Sequence, residues 1–62
     1  MVDVVVLRED ILVYGSVAEV FKWLEENAVY GPWAGAKVVN IIAFPTPGPE
    51  EPEDYILIHL KR

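Results

Sequence analysis

The sequence has no cysteine, which removes disulfide staples, thiolate zinc sites, iron–sulfur clusters and thiol catalysis together. It has a single histidine, His59, too few for a histidine-rich metal site within one subunit. Glutamine is missing too, and asparagine occurs only at Asn27 and Asn40, a composition that leans towards a thermophilic source. Basic residues are scarce: five Lys and Arg stand against ten Asp and Glu, for a net charge of -5. That balance opposes binding to phosphate backbones, which requires cationic side chains to neutralise them. It equally opposes adhesion to anionic membranes. Met1-Val2-Asp3 opens no basic region or signal-peptide core, and no apolar run approaches membrane-spanning length. A soluble cytoplasmic protein with no cofactor and no membrane contact is the expectation.

What the sequence does contain is apolar: 53% of its 62 residues are hydrophobic. A chain this short buries only about 60% of the surface its unfolded form exposes, so an isolated fold is marginal. Small domains compensate with disulfides, a structural metal or a partner subunit. With the first two removed, association remains. Apolar side chains in excess of what a small interior can hide mark an interaction surface.

Along residues 1–62 the pattern predicts one α+β domain of order β-β-α-β-β, with antiparallel hairpins in one sheet and one helix packed on one face. The first hairpin covers 2–14. Val2 to Leu7 is a β-branched run, apolar on both faces, which predicts a central strand. Charge at Arg8-Glu9-Asp10 places the turn near Glu9-Asp10, before Ile11 to Tyr14 resumes the apolar run. The helix covers 16–28. Ser16-Val17-Ala18-Glu19 is a capping box, in which the Ser16 hydroxyl accepts from the Glu19 amide and the Glu19 carboxylate reaches the Ser16 amide. Val17, Val20, Phe21, Leu24 and Ala28 form an apolar stripe at helical spacing, and Trp23 falls roughly 100–120° from its centre. Gly31-Pro32 ends the helix, and 29–36 is a connection carrying Trp33.

The second hairpin covers 37–61. Lys37 to Phe44 is apolar on both faces except at Asn40. Residues 45–54 hold four prolines and four acids and read as an extended acidic loop. Tyr55 to Lys61 alternates, with Ile56, Ile58 and Leu60 on one face and Tyr55, Leu57, His59 and Lys61 on the other. One helix covers one face of four strands. The opposite face keeps members of the set Val5, Leu7, Leu12, Tyr14, Val39, Ile41, Tyr55 and Leu57.

No constellation reaches the specificity of a catalytic, metal or nucleotide site. Gly31 to Lys37 has the wrong spacing and the wrong flanking elements for a phosphate loop. Glu50, Glu51, Glu53 and Asp54 offer oxygen ligands but lack the alternation and central glycine of a calcium loop. Pro49-Glu50-Glu51-Pro52 is formally a polyproline motif without a flanking base. His59 with Tyr14, Tyr55 or Asp10 is the one acid–base combination available. Trp23 and Trp33 are either interface anchors or lids over the domain's own core.

The leading expectation is a non-catalytic protein-interaction module acting as a homodimer or higher oligomer, with another protein as a further possible partner. Its interface candidates are Trp23, Trp33, Tyr14, Tyr55, Leu57, Val39 and Ile41. Three alternatives stand beside it. One is an acidic inhibitor that imitates nucleic acid, suggested by the acidic loop. Another is a small oligomeric enzyme whose site lies between subunits. The third is a sheet-face nucleic-acid binder, in which Arg8, Lys37, Lys61 and Arg62 converge at one end of the sheet; the net charge makes nucleic acid the less favoured partner.

Overall fold

A computed structural model describes residues 1–44 and 54–62. The elements are β1 (Asp3–Leu7), β2 (Asp10–Ser16), α1 (Val17–Leu24) continued by a π-helical turn (Glu25–Val29), β3 (Lys37–Phe44) and β4 (Tyr55–Lys61). The proline-rich acidic loop, with Glu50, Glu51, Glu53 and the Pro49–Pro52 motif, lies outside the described residues. The four strands form one antiparallel sheet in the order β1-β2-β4-β3, so each hairpin contributes one inner and one outer strand.

The inner strands are the two along which burial alternates. Ile11 and Val13 of β2 and Ile58 and Leu60 of β4 are at most 1% exposed, and they lie under the helix. The Val2–Leu7 run, expected at the centre, is instead the edge strand β1, and every residue of β1 is exposed. The reason is the direct passage of β2 into α1 at Ser16, with no intervening loop. The helix must then sit over β2 and the strand that returns beside it, which leaves β1 outside. The turn is one residue earlier than expected. Leu7 pairs with Asp10, and Arg8-Glu9 makes a two-residue connection in which Arg8 has φ 58°.

Ser16 is both the last residue of β2 and the helix cap, its hydroxyl accepting from the Glu19 amide at 3.4 Å. The reciprocal bond differs from the expected one: the Ser16 hydroxyl donates to Glu19 Oε1 at 2.7 Å, because the Ser16 backbone belongs to the sheet, opposite Tyr55. Gly15 explains how closely the helix docks. A Cβ there would meet Val20 Cγ2 at 3.5 Å and the Met1 carbonyl oxygen at 3.2 Å. Val20 thus nests over Gly15 and sets the rotation of the helix. Val17, Trp23, Leu24 and Ala28 pack against the core, whereas Phe21 turns outward at 54% exposed, exchanging places with Trp23 relative to the sequence pattern.

The chain then folds back so that Trp33 closes the core from the side, 8% exposed. The Trp33 amide donates to the Asn27 carbonyl oxygen at 2.7 Å, and the Asn27 side chain donates to the Trp23 carbonyl oxygen at 3.0 Å. The first of these bonds occupies one of the carbonyls that a helix end otherwise leaves without a partner. The Arg62 guanidinium lies 4.1 Å from the Trp33 ring centroid and donates to the Pro32 carbonyl oxygen at 3.0 Å, pinning the loop to the end of β4. Gly31 permits the reversal, since a Cβ there would lie 2.6 Å from both Asn27 Cα and the Glu26 carbonyl oxygen.

Two substitutions test this account by denaturant unfolding. Gly31→Ala forces the helix end and the Trp33 loop apart and is expected to destabilise by about 1–3 kcal/mol. Arg8→Gly removes a left-handed side-chain penalty of ~1–2 kcal/mol at an entropic cost of roughly 0.5–1 kcal/mol. It is therefore expected to stabilise slightly or leave stability unchanged, whereas Arg8→Val destabilises.

Candidate functional site

Residues directly opposite one another on paired strands project from the same face, so the register defines the side of the sheet away from the helix. One row across it reads Leu7, Asp10, Lys61 and Lys37. The next reads Val5, Leu12, His59 and Asn40, and the third Asp3, Tyr14, Leu57 and Ile42. Tyr55 and Phe44 face each other at the far end. The helix lies on the other side, and among the described residues no element packs on this open face. Val5, Leu7, Ile42, Phe44 and Tyr55 are between 38% and 58% exposed.

The open face has a charged end and an aromatic end. At the aromatic end Tyr14 meets Phe44 edge-on at 5.8 Å between centroids and lies 5.6 Å from the Tyr55 ring. Towards the charged end His59 Nε2 is 2.9 Å from Asp10 Oδ1, a diagonal contact between β4 and β2. A histidine held by a carboxylate is a component of many acid–base sites. The direct cross-strand neighbours of His59, however, are Leu12 and Asn40, and neither is a nucleophile or a proton carrier. The pair supplies polarity within an otherwise apolar face. Among the described residues no three His, Asp or Glu side chains converge as ligands of a metal ion.

Of the residues singled out in the sequence, Tyr14, Tyr55 and Leu57 meet on this face. Trp33 does not, being part of the core. Trp23 is half-buried on the helix side, where Val2, Glu19, Lys22, Trp23 and Glu26 line a shallow groove of about 290 Å³. In that groove the Glu19 carboxyl is held below its ordinary range by the Met1 ammonium and then by the Ser16 hydroxyl. Ile41 lies opposite Ile58, hence on the helix side, at the exposed margin of the sheet. Val39 is the extra residue of a β-bulge between Val38 and Asn40 in the edge strand β3.

The bulge explains why Ile42 and Phe44 take the places expected for Val39 and Ile41. One inserted residue exchanges the two faces of everything beyond it. The Asn40 side chain accepts from the Ile41 amide at 2.9 Å, so the one polar residue in the interior of β3 marks the irregularity. Arg8, Lys37, Lys61 and Arg62 do share one end of the sheet. Glu9 and Asp10 stand among them, and Arg62 is committed to Trp33 and Pro32.

Among the described residues no helix is long and apolar enough to cross a membrane. Comparison with protein-family models, curated proteins and solved structures found no match. The open face is therefore the feature from which a function is read. Its apolar members, Val5, Leu12, Tyr14, Leu57, Ile42, Phe44 and Tyr55, adjoin one another across all four strands, with Asp3, Asp10, Asn40, His59, Lys37 and Lys61 around and among them. A contiguous apolar patch rimmed by polar residues commonly marks an interaction site.

A double-mutant cycle of Tyr14→Leu and Phe44→Leu in urea is expected to give a coupling of about 0.5–1.5 kcal/mol, the worth of an aromatic pair beyond its area. Strictly additive losses mean that the rings are not in contact in solution.

Proposed function

We propose that the protein is a non-catalytic interaction module that works as a homo-oligomer through the open face of its sheet. The observation that carries this reading is the continuous apolar surface of Val5, Leu12, Tyr14, Ile42, Phe44, Tyr55 and Leu57, on which no element of the described chain packs. Fully burying one such side chain contributes ~1.5–3 kcal/mol. Val5, Ile42, Phe44 and Tyr55 retain 38–49% of their exposure and Leu12, Tyr14 and Leu57 less, so burying what remains contributes at most roughly 3–8 kcal/mol per protomer, and a dimer gains about twice that. The cost of association is ~4–15 kcal/mol, so the surplus is modest. The assembly is accordingly a concentration-dependent dimer, and the same surface suits a second protein. Glu25 and Glu26, exposed on the helical side, keep the outer surface acidic and soluble.

Light scattering coupled to size-exclusion chromatography, over a hundredfold concentration range, tests this directly. Wild-type protein is expected to pass from monomer to dimer within the range. Leu57→Glu, with a charge at the middle of the face, is expected to stay monomeric with an unchanged far-ultraviolet circular dichroism spectrum. A wild-type monomer at every concentration overturns the reading.

A further inference from the structure

We infer that two copies of this chain pack open face to open face about a two-fold axis parallel to the strands, with Asp10 of each copy set against the basic half of its partner. The inference rests on the proposed self-association and adds the one arrangement that the charges of the face select. The face is divided by charge across its width. Asp3 and Asp10 belong to the β1–β2 half, while Lys37, Lys61 and His59 belong to the β3–β4 half. It is also divided along its length, with charges in the Leu7–Asp10–Lys61–Lys37 row and aromatic rings at the opposite end.

Face-to-face packing of identical sheets leaves two simple positions for the two-fold axis, both in the plane between them. An axis across the strands keeps each strand over its own copy but reverses the rows. It buries Lys61 of one copy against the aromatic end of the other, and an ammonium withdrawn from water without a carboxylate is strongly unfavourable. An axis along the strands keeps the rows and exchanges the halves. β2 then lies over β4 of the partner, and β1 over its β3. Asp10 faces Lys61 of the second copy, Tyr14 faces Leu57, Leu12 faces His59, and the aromatic ends meet. Asp3 faces Ile42 at the rim, where it stays in water.

Aligned sheets cross at about 30° rather than 0°, and the long lysine side chains span the offset this introduces at the charged row. Asp10 has the capacity for a second donor. Oδ1 is engaged by His59 at 2.9 Å, and a carboxylate accepts through both oxygens. The apolar centre supplies the affinity in this arrangement. The charged row decides orientation, because rim ion pairs add little to binding while like charges brought together oppose it. Pairing through the open edges of β1 or β3 would bring none of these groups together.

The experiment uses Asp10→Lys and Lys61→Asp, each alone and mixed in equal amounts, followed by native mass spectrometry, which separates the species by mass. Each variant alone sets like charges against each other in both symmetric contacts, so self-association is expected to weaken by about tenfold or more. In the mixture both contacts regain opposite charges, and a heterodimer is expected to form within about threefold of wild-type affinity. A second measurement needs no substitution. Zero-length carbodiimide cross-linking of a mixture of unlabelled and ¹⁵N-labelled wild-type protein is expected to join Asp10 to Lys61 or Lys37 across the two isotopes. A wild-type dimer without heterodimer preference and without that cross-link overturns the orientation and leaves the proposed function standing. A wild-type protein that never dimerises overturns both.

Discussion

The pairing of β2 with β4 is the contact on which the rest of the molecule depends. Neither strand follows the other in the chain, so their seven-residue register, from Asp10 opposite Lys61 to Ser16 opposite Tyr55, is fixed by packing and not by a turn. Alternation on both strands brings Ile11, Val13, Ile58 and Leu60 to one side, and the helix that leaves β2 at Ser16 closes over them. β1 then attaches to the outer edge of β2 through the Arg8-Glu9 turn, and β3 pairs with the outer edge of β4. Slipping the central register by one residue would turn the core outward and the open face inward, so the buried face holds the pairing in place.

The consequence is a shortage of cover. A helix with its side chains is ~10–12 Å across, whereas four strands at ~4.8 Å are roughly twice as wide. One helix therefore shields the inner strands alone. Val4, Val6, Val38 and Ile41 remain exposed at the margins of the helix side, and no described element covers the opposite face. The Trp33 loop relieves part of the shortage, swinging a large ring against the core where Arg62 covers it. A domain with so little interior has little room to hide more, and the proposed self-association removes the remaining apolar surface from water.

Polar groups on the open face give the proposed association an address. Aspartates on the β1–β2 half, lysines on the β3–β4 half and rings at one end make the face unequal in both directions. The His59–Asp10 bond lies along the boundary between the halves and orders the one carboxylate of the inner strands. Apolar area alone would permit many dimers of similar energy. Charge discriminates among them more through the arrangements it penalises than through the pairs it forms.

Much of this architecture was legible in the chain itself. The alternation of Tyr55 to Lys61, the capped helix after Ser16 and the Gly31-Pro32 stop are local signals, since each depends on neighbours a few residues away. They specify four strands, one helix and a surplus of apolar side chains. The faces of β3 were misread because a bulge at Val39 leaves no glycine in the sequence, only Asn40 bonding its own neighbour's amide. The core position of Trp33 and the edge position of β1 depend on which strand lies beside β2, a long-range choice that hydrophobic pattern does not encode. The same holds for His59 and Asp10, separated by 49 positions and joined only when β4 docks against β2. Local periodicity determined what each segment is. Tertiary pairing decided which side chains share a surface, because that depends on register between distant strands and on the limited width of a single helix.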